Sequence, residues 1–292
     1  MHRVQAFLIL FVLCVAVAFA AGLAAFSGAS AFEFTRHAVA FGPRPPGSDA
    51  IHRLQAYIID ELKKDRCQVI EDPFTAKTPQ GQIAMKNIIA KFPGTSGRAI
   101  AITGHFDTKF FPGRKFVGAD DGGSSTGFLL ELAGVMSTTQ HPDDIYIAFF
   151  DGEEAFGEWS DSDSVYGSRH LAERWHADGT LARMKALINI DMIGDKNLDI
   201  KRDSNSNVAI TRLVWNTAAD LGYKAYFIDE SMGGEDDDHM PFVRMGVPAI
   251  DVIDIDYPPW HTDEDTMDKV SPRSLEIVGE VIVESIRRLG SR

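Results

Sequence analysis

The chain has 292 residues, of which 45% are apolar, 24% charged and 10% aromatic, fractions that exclude a disordered, collagen-like or disulfide-scaffold protein. Its 29 Lys and Arg stand against 42 Asp and Glu, a formal charge of −13. A surface that acidic repels a polyanion, which argues against nucleic acid as a partner.

The first feature along the chain is an uncharged apolar run at 6–26, preceded by His2 and Arg3. That is the shape of an export signal, with small residues for cleavage at Ala18 and Ala20 or at Ala29 and Ala31. About 20 apolar residues also suffice for an uncleaved membrane anchor. The chain therefore divides into a signal or anchor over 1–31 and one domain over 32–292, and both readings place that domain outside the cytoplasm. Cleavage would remove Cys14 and leave Cys67 alone, with no internal disulfide to form. Stability must then come from the core.

After a Pro/Gly loop at 42–48 (GPRPPGS), Ile51, Leu54, Tyr57, Ile58 and Leu62 have helical spacing over 50–64. Short apolar, β-branched runs at 85–92 and 99–103 predict buried strands. A helix at 125–136, a strand at 145–150, a helix at 168–175 and a strand at 186–190 follow. The chain closes with a helix at 211–221, a strand at 248–253 and a helix at 274–289. Strands interleaved with helices imply an α/β layer architecture around a largely buried sheet. Asp251 and Asp254, near the end of the last strand, read as exposed on a sheet edge.

Chemistry collects where those strands end, the place at which open α/β sheets bind ligands. His105 and Asp107 follow the strand at 99–103, and Asp120 and Asp121 lie in the next loop. Glu153 and Glu154 follow the strand at 145–150, Asp191 follows the strand at 186–190, and His261 lies beyond the last strand. Singly, each has a plainer reading: His105 as a core or loop histidine, the two glutamates as surface charge, the run from Glu235 to Asp238 as a solvated turn. Adjacent acids closing a run as apolar as 146–150 are less ordinary, because burial would be costly without a compensating cation or proton. Oxygen and imidazole donors without thiolates suit zinc.

From about residue 41 onward, the motifs GHFDT, GADDGGSSTG, GEE, NIDMIGD and WHT resemble the family of zinc-dependent aminopeptidases that also contains animal-type glutaminyl cyclases. The segment Lys109-Phe110-Phe111-Pro112, the Trp-containing run at 150–172 and the run DDDHMPFVRMGVP at 236–248 resemble the cyclase branch more narrowly. The resemblance implies a single-domain three-layer sandwich, a mixed and mostly parallel twisted sheet flanked by helices. It implies one zinc ion held by Asp121, Glu154 and His261, with Glu153 as general base and acid. Asp191 and Asp237 match a pair of acids that share a hydrogen-bond network, one of them holding a proton. Trp159 and Trp260 match aromatic residues that shape the substrate pocket.

The implied reaction is cyclisation of an N-terminal glutamine, on a peptide or protein, to pyroglutamate with release of ammonia. The alternative on the same fold is a two-zinc aminopeptidase. There His105 and Asp191 hold the second ion, Asp121 bridges the two and Glu153 activates water. A non-catalytic relative would be expected to lose a ligand or the base, and this chain keeps both. It departs from animal cyclases where they carry a disulfide near the site; the matching positions here are Gly104 and Thr126.

Overall fold

The structure, a computed structural model, describes residues 25–291. The apolar run through residue 24, with Cys14, Ala18 and Ala20, lies outside the described residues. Among the described residues, no helix is long and apolar enough to cross a membrane.

The first half of the chain forms α1 (Gly28–Val39), α2 (Asp49–Leu62), β1 (Gln68–Thr78), β2 (Gly81–Phe92), β3 (Ala99–His105), α3 (Gly123–Thr138) and β4 (Asp144–Phe150). The second half forms α4 (Tyr166–Ala177), β5 (Met184–Asp191), β6 (Ile200–Asp203), α5 (Val208–Asp220), β7 (Phe227–Gly233), α6 (Met240–Arg244), β8 (Ala249–Ile253) and α7 (Pro272–Gly290). The main sheet runs in the order β1-β2-β4-β3-β5-β8. Strands β4, β3, β5 and β8 are parallel, while β2 runs antiparallel to β4 and to β1. Strands β6 and β7 form a separate two-stranded parallel sheet.

Alternation along the strands builds the layers, since successive side chains point to opposite faces. Ile100 and Ile102 of β3, Ile147 and Phe149 of β4 and Ile188 of β5 join a core with α1, α2, α3, α5 and α7. Their sequence neighbours Ala101, Tyr146, Ala148, Phe150 and Leu187 face Leu171 and Trp175 of α4 and Phe242 of α6. Both faces are covered, which is why these strands read as continuous apolar runs. The three-layer α/β sandwich stands, with a mixed, mostly parallel sheet.

Sequence patterning did not anticipate α1, β1, β6, β7 or the short α6. Strand β1 mixes exposed and half-buried residues, with Asp72, Ala76 and Thr78 buried, and it contains Pro73, which an edge strand tolerates. Helix α1 buries small residues, Gly28, Ala31, Thr35 and Ala38, in place of a large apolar stripe. It packs closely: a Cβ on Gly28 would meet the Pro272 carbonyl, and just before the helix the Phe26 ring lies tilted 5.0 Å from that of Phe128. Helix α1 runs across the division at 31/32, so a cut after Ala31 would fall inside it.

Asp251 and Asp254 are not exposed; each is only 1% accessible. Strand β8 closes the sheet, yet the segment before α5 covers it. Asn207 N donates to Ala249 O at 2.8 Å, and Asp251 N donates to Ser206 Oγ at 2.8 Å. Pairing order marks an edge, but packing decides exposure.

Candidate active site

Parallel pairing brings the carboxyl ends of β4, β3, β5 and β8 to one rim of the sheet. His105 and Asp191 are the last residues of β3 and β5, Glu153 and Glu154 follow β4, and His261 lies in the loop after β8. Asp121 arrives from the loop before α3. That loop comes close because it turns at Gly122, whose φ is +75°; a Cβ there would sit 2.4 Å from the Asp107 carbonyl oxygen. His261 itself holds a left-handed φ of 55°, the kind of local strain that collects at functional sites.

Asp121, Glu154 and His261 each offer a donor atom within 4.8 Å of the others, and so do His105, Asp121 and Asp191. Asp121 faces both groups. Its Oδ2 lies 3.3 Å from His261 Nε2, and its Oδ1 lies 3.3 Å from His105 Nε2. His261 Nε2 is 3.0 Å from Glu154 Oε1, and His105 Nε2 is 3.1 Å from Asp191 Oδ1. Burial disfavours the Asp121 carboxylate, but hydrogen bonds from His105 and His261 outweigh it and hold the group below the usual carboxylate range. Two carboxylates and one imidazole, without thiolate, form a donor set that fits zinc.

Glu153 sits beside this set, almost fully buried, its Oε2 4.0 Å from His105 Nδ1. Burial pushes its carboxyl well above the usual range; His105 opposes, and the charges of Glu154, Asp237 and Asp238 add. The Glu153-Glu154 tip hangs on Asp107. Asp107 Oδ1 accepts from Glu153 N at 3.1 Å, and Oδ2 accepts from Glu154 N at 3.3 Å.

The eight residues to which the cyclase resemblance gives a role line one pocket of about 520 Å³: Asp121, Glu153, Glu154, Trp159, Asp191, Asp237, Trp260 and His261; His105, the further ligand of the aminopeptidase alternative, is buried behind it. The tryptophans are half-exposed at its mouth, and Trp260 stacks on His261 at 4.2 Å. Asp237 is pushed up to about 6, by burial first and then by the charge of Asp191. The acidic run is no solvated turn at this point, for Asp237 and Asp238 are both buried. Ser125 lies against Gly104: a Cβ at Gly104 would lie 3.0 Å from Ser125 Cβ and 2.6 Å from Ile190 O.

Several supporting residues were not foreseen. Asp265 accepts from the backbone N–H of Asp120 at 2.9 Å and of Asp121 at 3.2 Å, and from Tyr257 Oη at 2.6 Å. Lys109 Nζ donates to Ala155 O at 3.1 Å and lies 3.4 Å from Glu154 Oε2. Asp107 carried a signal, lying two residues beyond His105; Asp265 sits in a polar loop with none. Asp251 Oδ1 accepts from Asn189 Nδ2 at 3.2 Å, and Asp254 Oδ2 accepts from Asp199 N at 3.0 Å.

A rim of parallel strand ends carrying a candidate metal site defines the class, that of α/β enzymes with their site at the carboxyl edge of the sheet. Within it, the chain belongs to peptidase family M28, whose profile matches residues 87–286. It is 31% identical to the glutaminyl-peptide cyclotransferase of Bos taurus over 82% of this chain and 76% of that one. Among solved structures it resembles an Acidobacteriales bacterium glutaminyl cyclase, with a TM-score of 0.88, 40% identity and coverage of 92% of this chain and 96% of that one. It also resembles a Zn-dependent exopeptidase from Parabacteroides distasonis, with a TM-score of 0.83, 27% identity and coverage of 92% and 100%.

Proposed function

We propose that the chain is a glutaminyl-peptide cyclotransferase, converting the N-terminal glutamine of peptides or proteins to pyroglutamate with release of ammonia. The observation that carries this reading is the pairing, in one pocket, of the buried Glu153 carboxyl with the Asp191–Asp237 acids beside the donor set of Asp121, Glu154 and His261. Names of relatives at 40% and 31% identity support the substrate.

In this reading Asp121, Glu154 and His261 hold one zinc ion. When bound, the ion supplies Lewis acidity toward the γ-carbonyl oxygen of the glutamine. Trp159 and Trp260 hold the short side chain folded against its own amine, which removes much of the entropic cost of ring closure. Glu153 takes a proton from the α-amine as its nitrogen bonds to the γ-carbonyl carbon. The bond from that carbon to the amide nitrogen then breaks, and Glu153 returns the proton to the departing ammonia. The Asp191–Asp237 pair, one member of it protonated, accepts hydrogen bonds from the N–H groups of that departing nitrogen. The apolar run at 6–26 supports export of the catalytic domain, with the run cleaved or kept as an anchor.

A second reading, the two-metal aminopeptidase, is favoured by one observation: the two oxygens of Asp121 face two donor sets. One experiment separates them. Purified, zinc-loaded protein is given a glutaminyl peptide and a leucyl peptide, with metal counted on the same sample. Ammonia release from the first, with about one zinc per chain, supports the cyclase. Release of leucine, with about two zinc ions per chain, makes His105 and Asp191 ligands and overturns it.

A further inference from the structure

Arg44, in the Pro/Gly loop between α1 and α2, is fully buried. Among the described residues, no carboxylate pairs with it directly. Its guanidinium is spent on three backbone carbonyls: Nε donates to Phe106 O at 2.8 Å, Nη2 to Gly118 O at 2.9 Å, and Nη1 to Val117 O. Phe106 stands between His105 and Asp107. Val117 and Gly118 open the loop that ends in Asp120 and Asp121. One rigid fork thus ties together the two ends of the single loop between β3 and α3, the start that carries Asp107, the support of Glu153 and Glu154, and the end that carries Asp121.

The tie is itself held. Arg44 N donates to Thr108 Oγ1 at 2.9 Å, Thr108 N donates back to Arg44 O at 3.3 Å, and Pro43 and Pro45 restrict the backbone on either side. Burial lowers Arg44 to about 10, with the charges of Asp121, Asp107 and Asp265 opposing, so it remains cationic at neutral pH. It places a fixed positive charge beneath a site built mainly of carboxylates.

We propose that Arg44 is a positioning residue for the metal site: its forked side chain sets the spacing of the two ends of that loop and its charge steadies their carboxylates. Zinc affinity then depends on Arg44 more than fold stability or substrate binding does. A lysine keeps the charge but cannot bridge three carbonyls in a planar fork, so the two contributions can be told apart. The inference rests on the metal site of the proposed function but not on the substrate, so it stands or falls apart from the cyclase assignment.

The test uses the full chain, stripped of metal and titrated with zinc against a chromophoric chelator. In Arg44→Met, zinc affinity is expected to fall about tenfold or more, the range for removing a group that orients metal ligands. Saturating zinc should bring kcat back toward the parent with KM for a glutaminyl peptide unchanged. Arg44→Lys should fall between the two. In Arg44→Ala, added guanidinium ion should restore part of the zinc affinity, whereas ammonium ion at the same concentration should not. Parental zinc affinity in Arg44→Met overturns the proposal, as does guanidinium without effect on Arg44→Ala. Should Arg44→Met fail to fold, Arg44→Lys decides: parental zinc affinity there overturns it, and so does failure of both variants to fold, since Arg44 would then serve stability alone.

Discussion

Asp107→Asn isolates the support of the catalytic tip. The carboxylate is fully buried and takes one backbone N–H on each oxygen, from Glu153 and from Glu154. Asparagine keeps the shape but turns one acceptor into an NH₂ group facing an N–H donor. One charge-assisted hydrogen bond, worth roughly 1.5–3 kcal/mol, is lost, and the stranded donor costs about 1–3 kcal/mol more. His105 Nδ1 also loses a carboxylate neighbour at 3.5 Å. A loss of about 3 kcal/mol that falls wholly on the placement of Glu153 in the transition state slows turnover about 10²-fold. Ammonia release from a glutaminyl peptide at saturating zinc reads the rate, and calorimetry of the same preparation reads the share taken by stability. A variant with kcat within about threefold of the parent and an unchanged Tm would show that the tip does not depend on Asp107, and the positioning argument fails.

Glu153→Gln should lose about 10²- to 10⁴-fold in kcat while keeping the parent's zinc content; zinc lost by metal analysis would move Glu153 into the ligand set. Trp159→Ala should raise KM for glutaminyl peptides and leave zinc affinity alone, and unchanged steady-state kinetics would remove this tryptophan from substrate binding. Asp254 is raised from 3.8 to about 7, by burial first and then by Asp199 and Asp195. A folded pKa above the unfolded one favours the protonated folded state, so its contribution is present below about pH 4 and lost as pH rises through about 7. Asp254→Asn keeps an acceptor for Asp199 N and should gain Tm over the parent at about pH 8 relative to about pH 5. Between about pH 5 and the folded value of about 7 lie about two units, which bound the gain over this window at about 3 kcal/mol, and a Tm difference independent of pH would contradict the assignment.

How much of this was legible beforehand depends on what each residue does. Strands β3, β4, β5 and β8 declared themselves because they are buried on both faces, and a run such as Tyr146-Ile147-Ala148-Phe149-Phe150 has few other uses. Strand β1 stayed hidden because its Glu71, Pro73 and Lys77 belong to an exposed edge. The donor residues were visible as acids and imidazoles placed at strand ends, and they meet because the strands are parallel. Their supports were not. Arg44 and Asp265 act on backbone groups far along the chain, and a bond to a carbonyl or an N–H leaves no mark on the partner's identity. Asp251 misled for the opposite reason, since its strand does end the sheet and what buries it comes from other elements, Ser206 before α5 and His239 at the start of α6.

The adjacent glutamates show how one short turn yields two roles. Both side chains are buried, so both are disfavoured as anions, but their neighbours differ. Glu154 faces His261 at 3.0 Å and Lys109 at 3.4 Å, cationic or donor groups that favour its ionised form, although burial and Asp121 still raise it. Glu153 has His105 at 4.0 Å as its compensating neighbour among the described residues, and otherwise faces the acids Glu154, Asp237 and Asp238. The better-compensated carboxylate suits a ligand, which must be ionised to bind a cation. The poorly compensated one holds a proton readily and suits a group that must take one up and give it back. Exchanging these environments, and not the side chains, would exchange the roles: a cation brought beside Glu153 should cost turnover even with the zinc ligands untouched.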